Sequence, residues 1–133
     1  MRIYCDSCIL IYFYDHIGSF NVRAVNRLMA FAAAGDRIAV SDLVRLECRV
    51  KPFKNHDAAK LAVFDAFFGR PDVEIVPITT TVFDRAMTIR AAHGFKLGDS
   101  LHLAAATESR CDGFLTNDMR LSAFSAVPVE MLP

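Results

Sequence analysis

The sequence predicts an α/β fold: one domain over residues 1–133, a five-stranded parallel sheet flanked by helices as an α/β/α sandwich. Three observations carry that expectation. Short β-prone runs alternate with longer stretches of helical periodicity, as in parallel strands joined by right-handed crossovers. Apolar residues make up 53% of the chain, which suits a sheet buried on both faces. Acidic residues fall where strands end or helices begin, at Asp6, Glu47, Asp99 and Asp118. In an open parallel sheet such ends gather at one edge.

Residues 2–5 read as a short buried strand ending at Asp6, and Ile9 to Tyr14 begin a helix or irregular turn broken at Gly18-Ser19. Val22, Val25, Leu28, Met29 and Ala32 recur at helical spacing, with Gly35 as the C-cap. Residues 37–40 form the second strand. Ser41 or Asp42 then caps a helix through about Val50 that carries Glu47, and Pro52 interrupts it. Asp57 caps a helix to Phe68 whose Leu61, Val63, Phe64, Phe67 and Phe68 spread round more than one face, so it should bury against the core and against a partner. Residues 73–78 are the third strand, and Thr79 to Thr81 cap a helix to Ala92 ended by His93-Gly94. Asp99 opens an Ala-rich helix, 101–108, with strong helix formers. Residues 113–116 are the fourth strand, and 127–132 an edge strand that tolerates Pro128.

Fifteen basic residues balance fifteen acidic ones, which is not the signature of a passive nucleic-acid binder; divalent cations held on several acids would leave the remaining surface net positive. No apolar run approaches the roughly 20 residues of a membrane span. Asp6 interrupts the apolar start, so no signal peptide is read there and a cytoplasmic protein with reduced cysteines is expected. Cys5 and Cys8 have C-x-x-C spacing, but Cys48 and Cys111 stand alone and complete no zinc site, so all four read first as small packing residues.

A single Asp at a strand end is as readily a cap or turn former, and a single Glu on a helix a solvated charge. Convergence changes that reading, because caps have no need to fall at one edge. Two unit charges about 4 Å apart repel by about 4 kcal/mol at an effective dielectric near 20, so a fold that gathers carboxylates holds protons or cations among them. Hard oxygen ligands suit Mg²⁺ or Mn²⁺. The first and last of these acids sit beside hydroxyls, in Tyr4-Cys5-Asp6-Ser7 and Leu115-Thr116-Asn117-Asp118, and Asp99 opens Asp99-Ser100-Leu101-His102-Leu103-Ala104-Ala105-Ala106. His102, one turn from Asp99, is expected to pack or hydrogen-bond rather than ligate. Other phosphate chemistries fit less well. Cys8 stands where a haloacid-dehalogenase-type phosphatase needs its second acid, and there is no P-loop and no G-x-G-x-x-G.

In order and spacing over essentially the whole chain, these elements resemble the PIN domain family of metal-dependent ribonucleases, in particular the stand-alone toxins of VapBC toxin–antitoxin pairs. The resemblance implies that Asp6, Glu47, Asp99 and Asp118 are the catalytic and metal-holding acids, with Mg²⁺ or Mn²⁺ as cofactor. Ser7 and Thr116 match the family's hydroxyl positions near the metal. It further implies an RNA substrate cut to a 5′-phosphate and a 3′-hydroxyl, a cognate antitoxin and a homodimer. Arg45 and Arg49, flanking Glu47, are candidate RNA contacts. Where many relatives follow the last acid with another Asp and a Phe, Met119-Arg120-Leu121 stands here, and Leu121 can take the aromatic's packing place. A solitary RNA-processing nuclease and a non-catalytic binding module are the alternatives.

Overall fold

The run Ile3-Tyr4-Cys5 has no polar face to show to water, so it belongs at the middle of a sheet. In the computed structural model, which describes residues 1–15 and 18–133, β1 (Arg2–Cys5) lies there. It is followed by α1 (Ser7–Asp15), α2 (Gly18–Ala33), β2 (Arg37–Ser41), α3 (Asp42–Lys54), α4 (Ala58–Phe68), β3 (Val73–Val76), α5 (Thr80–His93), α6 (Leu97–Glu108) and β4 (Gly113–Thr116). A short 3-10 helix (Met119–Ala123) then leads to β5 (Val129–Met131). The five strands pair in parallel in the order β3-β2-β1-β4-β5. The predicted five-stranded parallel α/β fold is thus the observed one.

That order fixes the layers. The chain steps from β1 to β2 to β3 in one direction and then crosses back past β1 to β4. Right-handed crossovers therefore put α1 to α4 on one face and α5 and α6 on the other. The strand order reverses between β1 and β4, and a crevice opens beyond their carboxyl ends. Tyr4, Phe114, Leu115, Val40, Leu103 and Leu10 are fully enclosed between the layers. The Tyr4 ring stacks on Phe114 across the β1–β4 pair, centroids 5.3 Å apart. Residues Ser100 to Ala106 of α6 are all buried, and its alanines let the helix lie close against the sheet and α5.

Several local expectations shift. Pro52 does not end α3: it sits in the last turn, where one amide donor is lost, and Asn55 N–H still closes on Lys51 O at 3.0 Å. The helix α6 starts at Leu97 with Lys96 in the capping position, so Asp99 lies inside the first turn and makes no cap. In α2 the core stripe is Ala24, Leu28 and Phe31, while Val22 and Met29 are exposed. On α4, Phe64 and Phe67 take the core side, edge-on to Tyr14. Asp57 caps α4 as expected, accepting from Lys60 N at 3.0 Å. Gly94 ends α5 with φ +71, donating its N–H to Arg90 O.

Candidate active site

Asp6 follows β1 directly and its main chain continues the sheet, Asp6 N–H donating to Leu115 O at 3.0 Å. That bond aims a buried side chain into the crevice between β1 and β4. Its Oδ2 accepts from Thr116 Oγ1 at 2.7 Å and its Oδ1 from Ser7 N–H at 2.8 Å. Thr116, at the end of β4, also accepts from Asp118 N–H at 3.1 Å, so one hydroxyl ties the first strand's acid to the last acid's backbone.

The four acids do share this edge. Burial, with the charges of Asp6 and Asp118, pushes the Asp99 carboxyl above the ordinary aspartate value. Glu47 reaches the same place from α3: its Oε1 meets His102 Nε2, and that nitrogen is 3.9 Å from Asp6 Oδ1. Burial pushes the Glu47 carboxyl up, but the hydrogen bond and the charge of His102, and after them the nearby Ser7 hydroxyl, outweigh it and the net direction is down. Ser7 thus stands by Glu47 with its side chain and by Asp6 with its amide.

Two of the acids, Glu47 and Asp118, also have a close partner. Arg120 clasps Asp118 through Nε at 3.0 Å and Nη2 at 2.5 Å, and its Nη2 lies 3.7 Å from Asp99 Oδ2. That guanidinium holds the Asp118 carboxyl below its ordinary value. Among the described residues no three His, Cys, Asp or Glu side chains are already set as a metal-binding group. The reason is visible in the pairing: Glu47 turns to His102 and Asp118 to Arg120. Asp99 shares Arg120 only at the longer distance, and Asp6 is held by the Thr116 hydroxyl and the Ser7 amide.

Sequence reasoning missed three parts of this edge. Arg120 is exposed and ordinary in sequence, and only the tight turn after β4 folds it back on Asp118 and Asp99. Tyr4 reads as a strand residue and Ser41 as a helix-cap candidate; their hydroxyls, 2.7 Å apart, join His102 beneath Glu47. Leu121 is fully buried, as its packing role required. Arg45 and Arg49 instead face Asp65 on α4, at 3.9 and 2.9 Å. Burial pushes the Cys8 and Cys48 thiols up to about 12 and the Cys111 thiol to about 11, so these cysteines stay protonated and pack. More large apolar side chains are exposed on α3 than on α4: Leu46, Val50 and Phe53 line a groove of about 600 Å³ with Leu61, rimmed by Arg45, Arg49 and Lys54. No helix among the described residues is long and apolar enough to cross a membrane.

Acids after the first and fourth strands, at the reversal of a five-stranded parallel sheet, define a fold class that the comparisons identify. The PIN domain family matches residues 3–127, and the chain belongs to that family. Among solved structures it is similar to a chain of VapBC2 from Rickettsia felis bound to a promoter DNA fragment (TM-score 0.79, 16% identity, 100% of each chain covered). It is also similar to one from a Klebsiella pneumoniae toxin–antitoxin complex (TM-score 0.76, 21% identity, 94% of each chain). A third is Mycobacterium tuberculosis VapC20, a sarcin-ricin loop cleaving toxin (TM-score 0.75, 14% identity, 95% of this chain and 98% of that one). Among curated proteins none matches.

Proposed function

We propose that this chain is a divalent-cation-dependent endoribonuclease and, within that class, the toxin of a type II toxin–antitoxin pair acting in the cytoplasm. The observation that carries the reading is the meeting of Asp6, Asp99 and Asp118 at the sheet reversal, with Asp99 held above its ordinary value by burial and by the other two. The donors at this edge are hard carboxylate oxygens, and burial with the neighbouring charges disfavours the ionised form of Asp99 when no cation is bound, so Mg²⁺ or Mn²⁺ fits it. Asp6, Asp99 and Asp118 would hold the ion, with Glu47 beside them. When bound, such an ion polarises the scissile phosphate and makes hydroxide available from coordinated water.

The chain's own groups do the rest. Thr116 and the Ser7 amide fix both oxygens of Asp6, so the carboxylate has one orientation before anything binds. Glu47, held low in pKa, stays ionised at neutral pH and can accept a proton from an attacking water or orient it. In-line attack on an RNA phosphodiester would leave a 5′-phosphate and a 3′-hydroxyl. Arg45 and Arg49 would reach RNA phosphates by exchanging Asp65 for the ligand. The cationic, apolar groove on α3 suits an acidic amphipathic antitoxin segment, and the toxin–antitoxin complexes among the similar structures support that partner; a homodimer is what the family resemblance implies.

The deciding experiment is cleavage of structured RNA by the purified chain. Cleavage is expected with Mg²⁺ or Mn²⁺, stops with EDTA and returns when the ion is restored. RNA binding without turnover, indifferent to EDTA, would establish a non-catalytic module instead. Growth arrest on induction, relieved by the product of an adjacent small gene, tests the toxin role. Arg120 supplies a further test, because it competes with a cation for Asp118. Arg120→Ala should tighten Mn²⁺ binding by about two- to five-fold, the range of an exposed ion pair. Titration of the Mn²⁺ paramagnetic resonance signal reads this directly, and weaker binding would contradict it.

A further inference from the structure

A buried hydrogen-bonded chain runs from the middle of the sheet to Glu47. Ser41, the last residue of β2, and Tyr4 of β1 are fully enclosed, with hydroxyl oxygens 2.7 Å apart. Tyr4 Oη lies 2.8 Å from Nδ1 of His102, which is 1% exposed, and His102 Nε2 reaches Glu47 Oε1. The direction of the chain follows from its end. A carboxylate only accepts, so Nε2 carries a proton. In the neutral ring Nδ1 then accepts from Tyr4, whose oxygen accepts from Ser41. Every donor finds an acceptor, and the four groups come from four different elements.

Packing alone does not require this arrangement. Phenylalanine would stack on Phe114 as well as Tyr4 does, without burying a hydroxyl that costs free energy unless it is bonded. Leucine would fill the place of His102 in an otherwise apolar stretch of α6. What the polar pair adds is a fixed point for Glu47, whose side chain is 36% exposed and would otherwise sample several rotamers in water.

We propose that His102 and Tyr4 are positioning residues: His102 holds the Glu47 carboxylate at the acidic cluster, and Tyr4 holds His102 in the tautomer that can do so. The part played by Glu47 in cleavage rests on the proposed ribonuclease reading; the tether itself does not.

Two sets of measurements test it. In the metal-free protein, ¹⁵N NMR at a pH where the ring is neutral should show His102 of the wild type as a single Nε2–H tautomer. Tyr4→Phe should give a mixture, and Glu47→Gln should shift the Nε2 proton. In RNA cleavage, His102→Leu should lower kcat by about 10- to 100-fold, the worth of one buried charge-assisted hydrogen bond, with KM within about two-fold. His102→Gln, whose amide N–H can reach the Nε2 position, should recover most of that loss. In a Glu47→Gln background, His102→Leu should cost nothing further, because the group it positions is already gone. A purely structural histidine would instead lower the melting temperature, leave the loss additive with Glu47→Gln and show no rescue by Gln. That pattern, or an Nδ1–H ring in the wild type, overturns the proposal. If the wild type cleaves no RNA at all, the ribonuclease reading fails, and the NMR measurements alone decide whether the tether exists.

Discussion

Asp6→Asn is expected to abolish RNA cleavage, by about a thousand-fold or more, while leaving the chain folded. The main chain at this position is held by the Asp6 N–H bond to Leu115 O, which the substitution does not touch. An Asn carbonyl oxygen can still accept from Thr116 Oγ1, now 2.7 Å from Oδ2. The new amide cannot accept from Ser7 N–H, and a lost hydrogen bond costs about 0.5–1.5 kcal/mol. Against that, one negative charge leaves a cluster in which Asp6 already raises the Asp99 carboxyl. The two effects oppose each other, so the melting temperature should move little or rise. Catalysis has no such compensation. Losing a charged ligand removes several kcal/mol of cation-based transition-state stabilisation. Gel analysis of a structured RNA beside a thermal melt reads both quantities. A folded Asp6→Asn protein that cuts RNA as well as the wild type would eliminate this site.

Asp99→Asn is expected to stabilise the metal-free chain at neutral pH and to stop cleavage. Asp99 is raised above 3.8 by burial first and by Asp6 and Asp118 next, with Arg120 and His102 opposing. A carboxyl whose folded value lies above its unfolded one favours the folded state only while protonated. That contribution is fully present below the ordinary value of 3.8 and is lost as pH rises through the raised folded value. The Asn variant has no such loss, so its advantage should be full at neutral pH and vanish in acid. Glu47 and Asp118 run the other way. Their folded values are lowered, so they stabilise above their ordinary values and that stability is lost as pH falls. Adding Mn²⁺ should raise the wild-type melting temperature and close the gap, while the variant responds little. Melts across pH, with and without Mn²⁺, check every part. A variant less stable than the wild type at neutral pH would mean that Asp99 is a structural acid.

Much of the fold was legible because its signals are local. The runs at 2–5 and 113–116 are apolar at nearly every position, as a strand covered on both faces must be. Asp57 and Gly94 mark helix ends through chemistry confined to a few residues. Errors came where a local signal admits two solutions. The apolar residues of α2 form more than one stripe, and periodicity does not say which stripe the sheet takes; Leu28 was shared, whereas Val22 and Met29 went to the surface. Pro52 and Asp99 are residue types that usually mark helix boundaries. Packing of α3 and α6 carried each helix past the expected point.

The four acids could be proposed because Asp6 and Asp118 stand at strand ends, Asp99 opens an Ala-rich helix, and Glu47 completes the order that resembles the PIN family. Their partners could not be. Arg120 binds Asp118 because a 3-10 turn reverses the chain at that point. Tyr4, Ser41 and His102 meet only when β1, β2 and α6 are stacked.

Taken alone, the sequence determined the alternation of strands and helices and the parallel sheet, since propensity and burial act within a few residues, and it offered the acids as candidates. Only the tertiary structure decided which hydrogen-bond donor each acid faces. Such pairings depend on distances between segments remote along the chain, and those distances are set by how the layers pack rather than by any residue's own preference.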